Sequence, residues 1–61
     1  MKEGDLILVS AEATGLEKPM EAVIDKIETF MGQTIVTVTY TQPDALSGFG
    51  GCFVDIHITK Q

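Results

Sequence analysis

Met20-Glu21-Ala22-Val23-Ile24-Asp25-Lys26-Ile27-Glu28-Thr29-Phe30-Met31 decides the fold, because its apolar and polar residues separate at helical spacing. At roughly 100° per residue, Met20, Val23, Ile24, Ile27, Phe30 and Met31 fall within an arc of about 120°, while Glu21, Asp25, Lys26, Glu28 and Thr29 fall outside it. The spacing predicts an amphipathic helix with one face to bury. Its start is set by Pro19, which suits the first helical position, with Lys18 held out of the α region just before it. Gly32 stands where a left-handed residue would end the helix, so the helix is expected over about 19–31. Thr14-Gly15-Leu16-Glu17 matches a capping box. A helix begun there would carry Pro19 at its fifth position, where the ring crowds the preceding turn and a hydrogen bond is lost.

Working outward, the flanking segments read as strands. Residues 5–10, D-L-I-L-V-S, form a short aliphatic run with Leu6 and Leu8 on one face and Ile7 and Val9 on the other, a pattern that suits a strand covered on both sides. Residues 34–41, T-I-V-T-V-T-Y-T, place Val36, Val38 and Tyr40 on an apolar face opposite Ile35 and the hydroxyls of Thr37, Thr39 and Thr41. Residues 42–51 are dense in turn formers. Residues 52–59 put Cys52, Val54, Ile56 and Ile58 on one face and Phe53, Asp55, His57 and Thr59 on the other. The expected fold is therefore α+β, a single small domain over residues 1–61. In it a two-layer β-α-β-β unit packs one helix (about 19–31) on a three-stranded sheet (about 5–10, 34–41 and 52–59). The alternative is an SH3-like small β-barrel, with 2–9, 22–27 and 34–40 as successive strands. Strict strand alternation over 20–28 counts against it, since Met20, Ala22, Ile24, Lys26 and Glu28 would share one face and Glu21, Val23, Asp25 and Ile27 the other, both mixed.

Composition bounds the function. A chain of 61 residues has a thin core and buries only about 60% of the surface its unfolded form exposes. Its 44% hydrophobic residues and mean hydropathy of +0.21 nevertheless favour folding over disorder. A single Cys cannot staple the chain internally, and one His, one Cys and scattered carboxylates do not make a metal set. Association with another chain is left as the reinforcement of so small a core. Nine acidic against four basic residues give a net charge of −5, which repels a phosphate backbone, so direct nucleic-acid binding is not expected. No stretch approaches the ~20 apolar residues that span a bilayer, and no basic, then apolar, leader opens the chain. A soluble cytoplasmic protein is expected, and the lone Cys agrees with a reducing compartment.

Few side chains suggest chemistry. Asp55 and His57, two apart on one predicted strand face with Phe53, could orient a carboxylate toward an imidazole. No nucleophile completes the set, because Cys52 has the opposite parity and is expected in the core. Leu46 and Phe49 are apolar residues in the 42–51 loop and suit contact with a partner. Ser47-Gly48-Phe49-Gly50-Gly51 lacks the lysine and the following helix of a phosphate loop. Glu21, Asp25 and Glu28 form an acidic stripe on the predicted helix, most simply a solvated face.

The β-α-β-β order is similar to that of dodecin-like flavin-binding proteins and of small tautomerases. The chain has no Trp to stack a flavin, and Met1-Lys2 stands where a tautomerase needs a free proline. The likeness implies no cofactor and no site residue here. The function expected from the residues is a small non-enzymatic protein-interaction module, a homo-oligomer through its exposed sheet face or edge. Its acidic surface would contact another protein through Leu46, Phe49, Phe53, Asp55, His57, Glu21, Asp25 and Glu28. One alternative is a small-molecule binder or minor enzyme with an inter-subunit pocket near His57, Asp55 and Phe53. The other is an acidic mimic of nucleic acid that occupies a basic partner.

Overall fold

The computed structural model describes residues 1–42 and 44–61; Pro43, within the expected 42–51 loop, lies outside the described residues. Five strands form one antiparallel sheet: β1 (Leu6–Val9), β2 (Met20–Phe30), β3 (Gln33–Tyr40), β4 (Gly50–Val54) and β5 (Ile58–Lys60). They lie side by side in the order β4-β3-β2-β1-β5. Among the described residues, helix is confined to one α-helical turn, α1 (Ala11–Thr14), and two 3-10 turns, Asp44–Leu46 and Asp55–His57.

The expected helix over 19–31 is absent, and in its place stands the longest strand of the sheet. The cause is a β-bulge. Ile24 lies opposite Val38 and Lys26 opposite Thr37, which leaves Asp25 as an extra residue without an opposite number. Met20, Ala22 and Ile24 point into the core at period two, and beyond the bulge the alternation resumes one residue out of phase, so that Ile27 packs against the same core. Inward positions at 20, 24 and 27 are spaced four and three apart, the spacing of a helical stripe. The mixed faces that argued against a strand vanish once the bulge is counted. The outer face then carries Glu21, Val23, Asp25, Lys26 and Glu28. A strand here is also bonded on both sides: β2 pairs with β1 from Leu6↔Val23 to Val9↔Met20 and with β3 from Ala22↔Tyr40 to Phe30↔Gln33. With the helix gone, the β-α-β-β likeness to dodecin-like proteins and tautomerases lapses.

Local chemistry explains the connections. Ser10 caps α1, its Oγ accepting from the Ala13 N–H at 3.2 Å. Gly15, left-handed at φ 77°, closes the turn by donating its N–H to the Ala11 carbonyl at 2.9 Å. Thr14 is therefore the end of a helical turn and does not cap one. The β2–β3 hairpin turns on Met31 (φ 51°) and Gly32 (φ 81°), both left-handed as a two-residue primed turn requires. Gly32 thus takes the left-handed conformation expected of it, but as the second residue of a hairpin.

The predicted last strand, 52–59, divides. β4 pairs with β3, the 3-10 turn Asp55–His57 carries the chain across, and β5 pairs with the far side of β1. Phe53 lies opposite Val36 and packs against the core, so Cys52 and Val54 face outward. Cys52 is exposed rather than buried, its Sγ 3.3 Å from the Thr37 hydroxyl, and Ile56 in the turn is 81% exposed. Ile7, Val9, Met20, Ala22, Ile24, Val36 and Val38 are the buried core, ringed by Ala13, Ile27, Tyr40, Phe53 and Ile58. The outward set Leu6 and Leu8 is the less covered of the two faces expected for the first strand, Leu6 standing 48% exposed.

Candidate functional site

An open groove of about 640 Å³ lies where the β1–β2 connection meets the segment after β3. It is lined by Leu8 of β1, by Leu16, Pro19, Met20 and Glu21 from the β1–β2 connection and the start of β2, and by Gln42 and Leu46 from the segment after β3. Glu17 and Lys18 also line it. The β1–β2 part of this lining is free of the sheet because α1 stops at Gly15: the chain then runs through exposed Leu16 to Pro19 without a partner strand before Met20 enters β2. Backbone bonding holds the segment after β3 beside β2: Thr41 N–H donates to the Glu21 carbonyl at 2.9 Å, and Leu46 belongs to the 3-10 turn Asp44–Leu46.

Glu21 is the charged residue of the groove whose side chain is held by hydrogen bonds, beside Glu17 and Lys18. Its carboxylate accepts from the Thr41 hydroxyl at 2.6 Å and from Gln61 Nε2 at 3.1 Å. These two donors, Thr41 first, hold its carboxyl below the ordinary value of 4.5, against a smaller opposing effect of desolvation. It is ionised at neutral pH. A largely apolar groove with one fixed carboxylate suits an apolar side chain that has a cationic group beside it.

The sequence-derived candidates disperse. Glu21 and Leu46 meet in the groove. Phe49 stands 66% exposed beyond it, and its carbonyl accepts from Tyr40 N–H at 2.7 Å. Phe53 packs on the core instead of sharing an open face with Asp55 and His57. Those two occupy a 3-10 turn, where the two-residue strand spacing no longer applies. The ring Nδ1 of His57 lies 3.4 Å from the Ser10 hydroxyl, and the His57 carbonyl accepts from Ser10 N–H at 2.8 Å, so this histidine ties the turn to the start of α1. Asp25 accepts from the Thr39 hydroxyl, and Glu28 pairs with Lys26 at 3.2 Å. Glu21, Asp25 and Glu28 do share a face, because the bulge brings all three outward on β2.

Sequence reasoning missed Leu8, Leu16, Glu17, Lys18, Pro19, Met20 and Gln42 as site residues. One signal was legible: Leu16 is an apolar residue in a polar connection, the same cue that singled out Leu46. Among the described residues no three His, Cys, Asp or Glu side chains gather as a metal set, and no helix is long and apolar enough to cross a membrane. Comparison with protein families, with curated proteins and with solved structures finds no match.

Proposed function

We propose that this chain is a small non-enzymatic protein-interaction module whose groove takes an apolar side chain and a neighbouring basic group from a partner polypeptide. The observation that carries the reading is the groove itself: Leu16, Pro19 and Leu46 line a space of about 640 Å³ together with the ionised Glu21. A net charge of −5 adds a long-range preference for a basic partner. Asp55 and His57 serve in this reading as a structural turn. Burial of the inner sheet face with only one helical turn to cover it further favours a sheet curled on itself as an SH3-like small barrel, the bulge at Asp25 supplying the bend.

The test is photo-crosslinking in the native cell from a probe at Leu16 and, separately, at Phe30, on the exposed hairpin. The groove reading expects a discrete protein adduct from Leu16 that disappears in the Leu46→Asp variant and is absent from Phe30. Equal adducts from both positions, or an adduct indifferent to Leu46→Asp, would refute it.

A further inference from the structure

All thirteen formal charges of the chain lie in 1–28, at Asp44, at Asp55 and at Lys60; none falls in 29–43 or 45–54. The sheet is therefore electrically divided. β3 and β4 are wholly uncharged, and β4 is the terminal strand on that side, with no strand beyond it among the described residues. Sheet edges normally carry a lysine, a proline or an inward charge that blocks further pairing, and β4, Gly50-Gly51-Cys52-Phe53-Val54, carries none of these.

The hydrogen-bond phase of the edge follows from its neighbour. Tyr40 N–H donates to the Phe49 carbonyl, and the β3–β4 register runs without a shift from Thr39↔Gly50 to Ile35↔Val54. Residues 49, 51 and 53 thus bond inward to β3, and the N–H and C=O of Cys52 and Val54 point to the open edge. We propose that a second copy of this chain pairs antiparallel along β4 about a two-fold axis at Cys52, joining the two sheets into one. The charge pattern selects this occupant. Two bodies of net charge −5 repel, and pairing along β4 sets no charged side chain of the strand against its copy, whereas a basic partner gains nothing from it. This inference stands apart from the groove, whose lining includes no residue of β4, and either can fail alone.

The pairing sets one geometry sharply. The two Cys52 residues become directly opposed and hydrogen-bonded, with Cα atoms about 5.5 Å apart, inside the range a disulfide spans. Added diamide is then a reporter. Two Cys52 thiols lose two electrons and two protons to form the S–S bond, and the N=N bond of diamide takes them up to become the hydrazine.

Light scattering under reducing conditions, from micromolar to millimolar protein, should give a mass that rises from 6.6 kDa toward twice that value. In NMR over the same range, amide shifts should move at Gly50, Cys52 and Val54 and stay still at the groove. Cys52→Ser keeps the association, and Cys52→Lys weakens it by about tenfold or more through like charges opposed across the axis. Diamide should link Cys52 much faster than a control cysteine, Ser47→Cys in the Cys52→Ser background. A monomer at millimolar concentration, shifts that spare β4, or equal cross-linking at both cysteines would overturn the proposal.

Discussion

β2 and β3 are partners along the same hairpin and supply most of the buried core between them, yet they are built on opposite plans. β3 is short, regular and uncharged, and every second residue, Val36, Val38 and Tyr40, faces the core. β2 is long, bulged at Asp25 and lined outward with Glu21, Asp25, Lys26 and Glu28. The difference teaches that one inserted residue changes both the shape and the readability of a strand. It turns the inward series from 20, 22, 24, 26 to 20, 22, 24, 27, and the spacing of 20, 24 and 27 gives β2 the outline of an amphipathic helix.

Substitutions can break this comparison or sharpen it. The largest effect is expected at neighbouring positions that a helix would treat alike. Ile24 is 1% exposed and inward, Val23 half-buried and outward. Urea unfolding of Ile24→Ala should show a loss of about 3 kcal/mol, and Val23→Ala a loss under about 1 kcal/mol. Equal losses would restore the helical stripe. Next comes Ala22, fully buried in the strand but outside the apolar arc of a helix. Ala22→Leu should cost about 1–3 kcal/mol by overpacking, where an exposed helical position would be neutral or better. Nearly all of that cost should appear as a lower urea midpoint with the slope unchanged.

Smaller effects belong to the turn and to Glu21. Met31 holds φ 51° without the tolerance of Asn or Gly for that region. Met31→Asn should raise stability by about 0.5–1 kcal/mol, read as a higher melting temperature. A helix C-terminus at this site would gain nothing comparable. Glu21 gives the smallest effect, read in pH. Its folded carboxyl is held below 4.5 by Thr41 and Gln61. The unfolded chain therefore binds the proton more readily. The stabilisation is complete above the ordinary glutamate value and is lost as pH falls through the lower folded value. Thr41→Val should flatten that part of the acid-unfolding profile, and a profile unchanged by it would remove Glu21 as the cause.

Much of β1 and β3 was legible because their alternation is unbroken: Ile7 with Val9, and Val36 with Val38, are read off directly. The bulge was not, since nothing in Ile24-Asp25-Lys26 marks an extra residue and the two periods coincide at 20, 24 and 27. The outward turn of Cys52 was hidden for a related reason. Parity separates Cys52 from Phe53 but does not say which of them faces the core, and the larger ring took the inward place opposite Val36. In the groove, Glu21 and Leu46 were legible as an acidic residue and an apolar loop residue. Their meeting depends on the hairpin pairing that brings Thr41 beside Glu21, a contact across twenty residues that no local pattern encodes.

The central claim is that residues 20–30 form a bulged strand, and interproton contacts test it most directly. Glu21 and Thr41 are a hydrogen-bonded pair, so Ala22↔Tyr40 and Ile24↔Val38 fall at the close, non-hydrogen-bonded positions of the ladder. A NOESY spectrum should show strong Hα–Hα cross-peaks for both pairs. Continuous amide–amide contacts from Met20 to Phe30, with neither Hα–Hα peak present, would contradict the account.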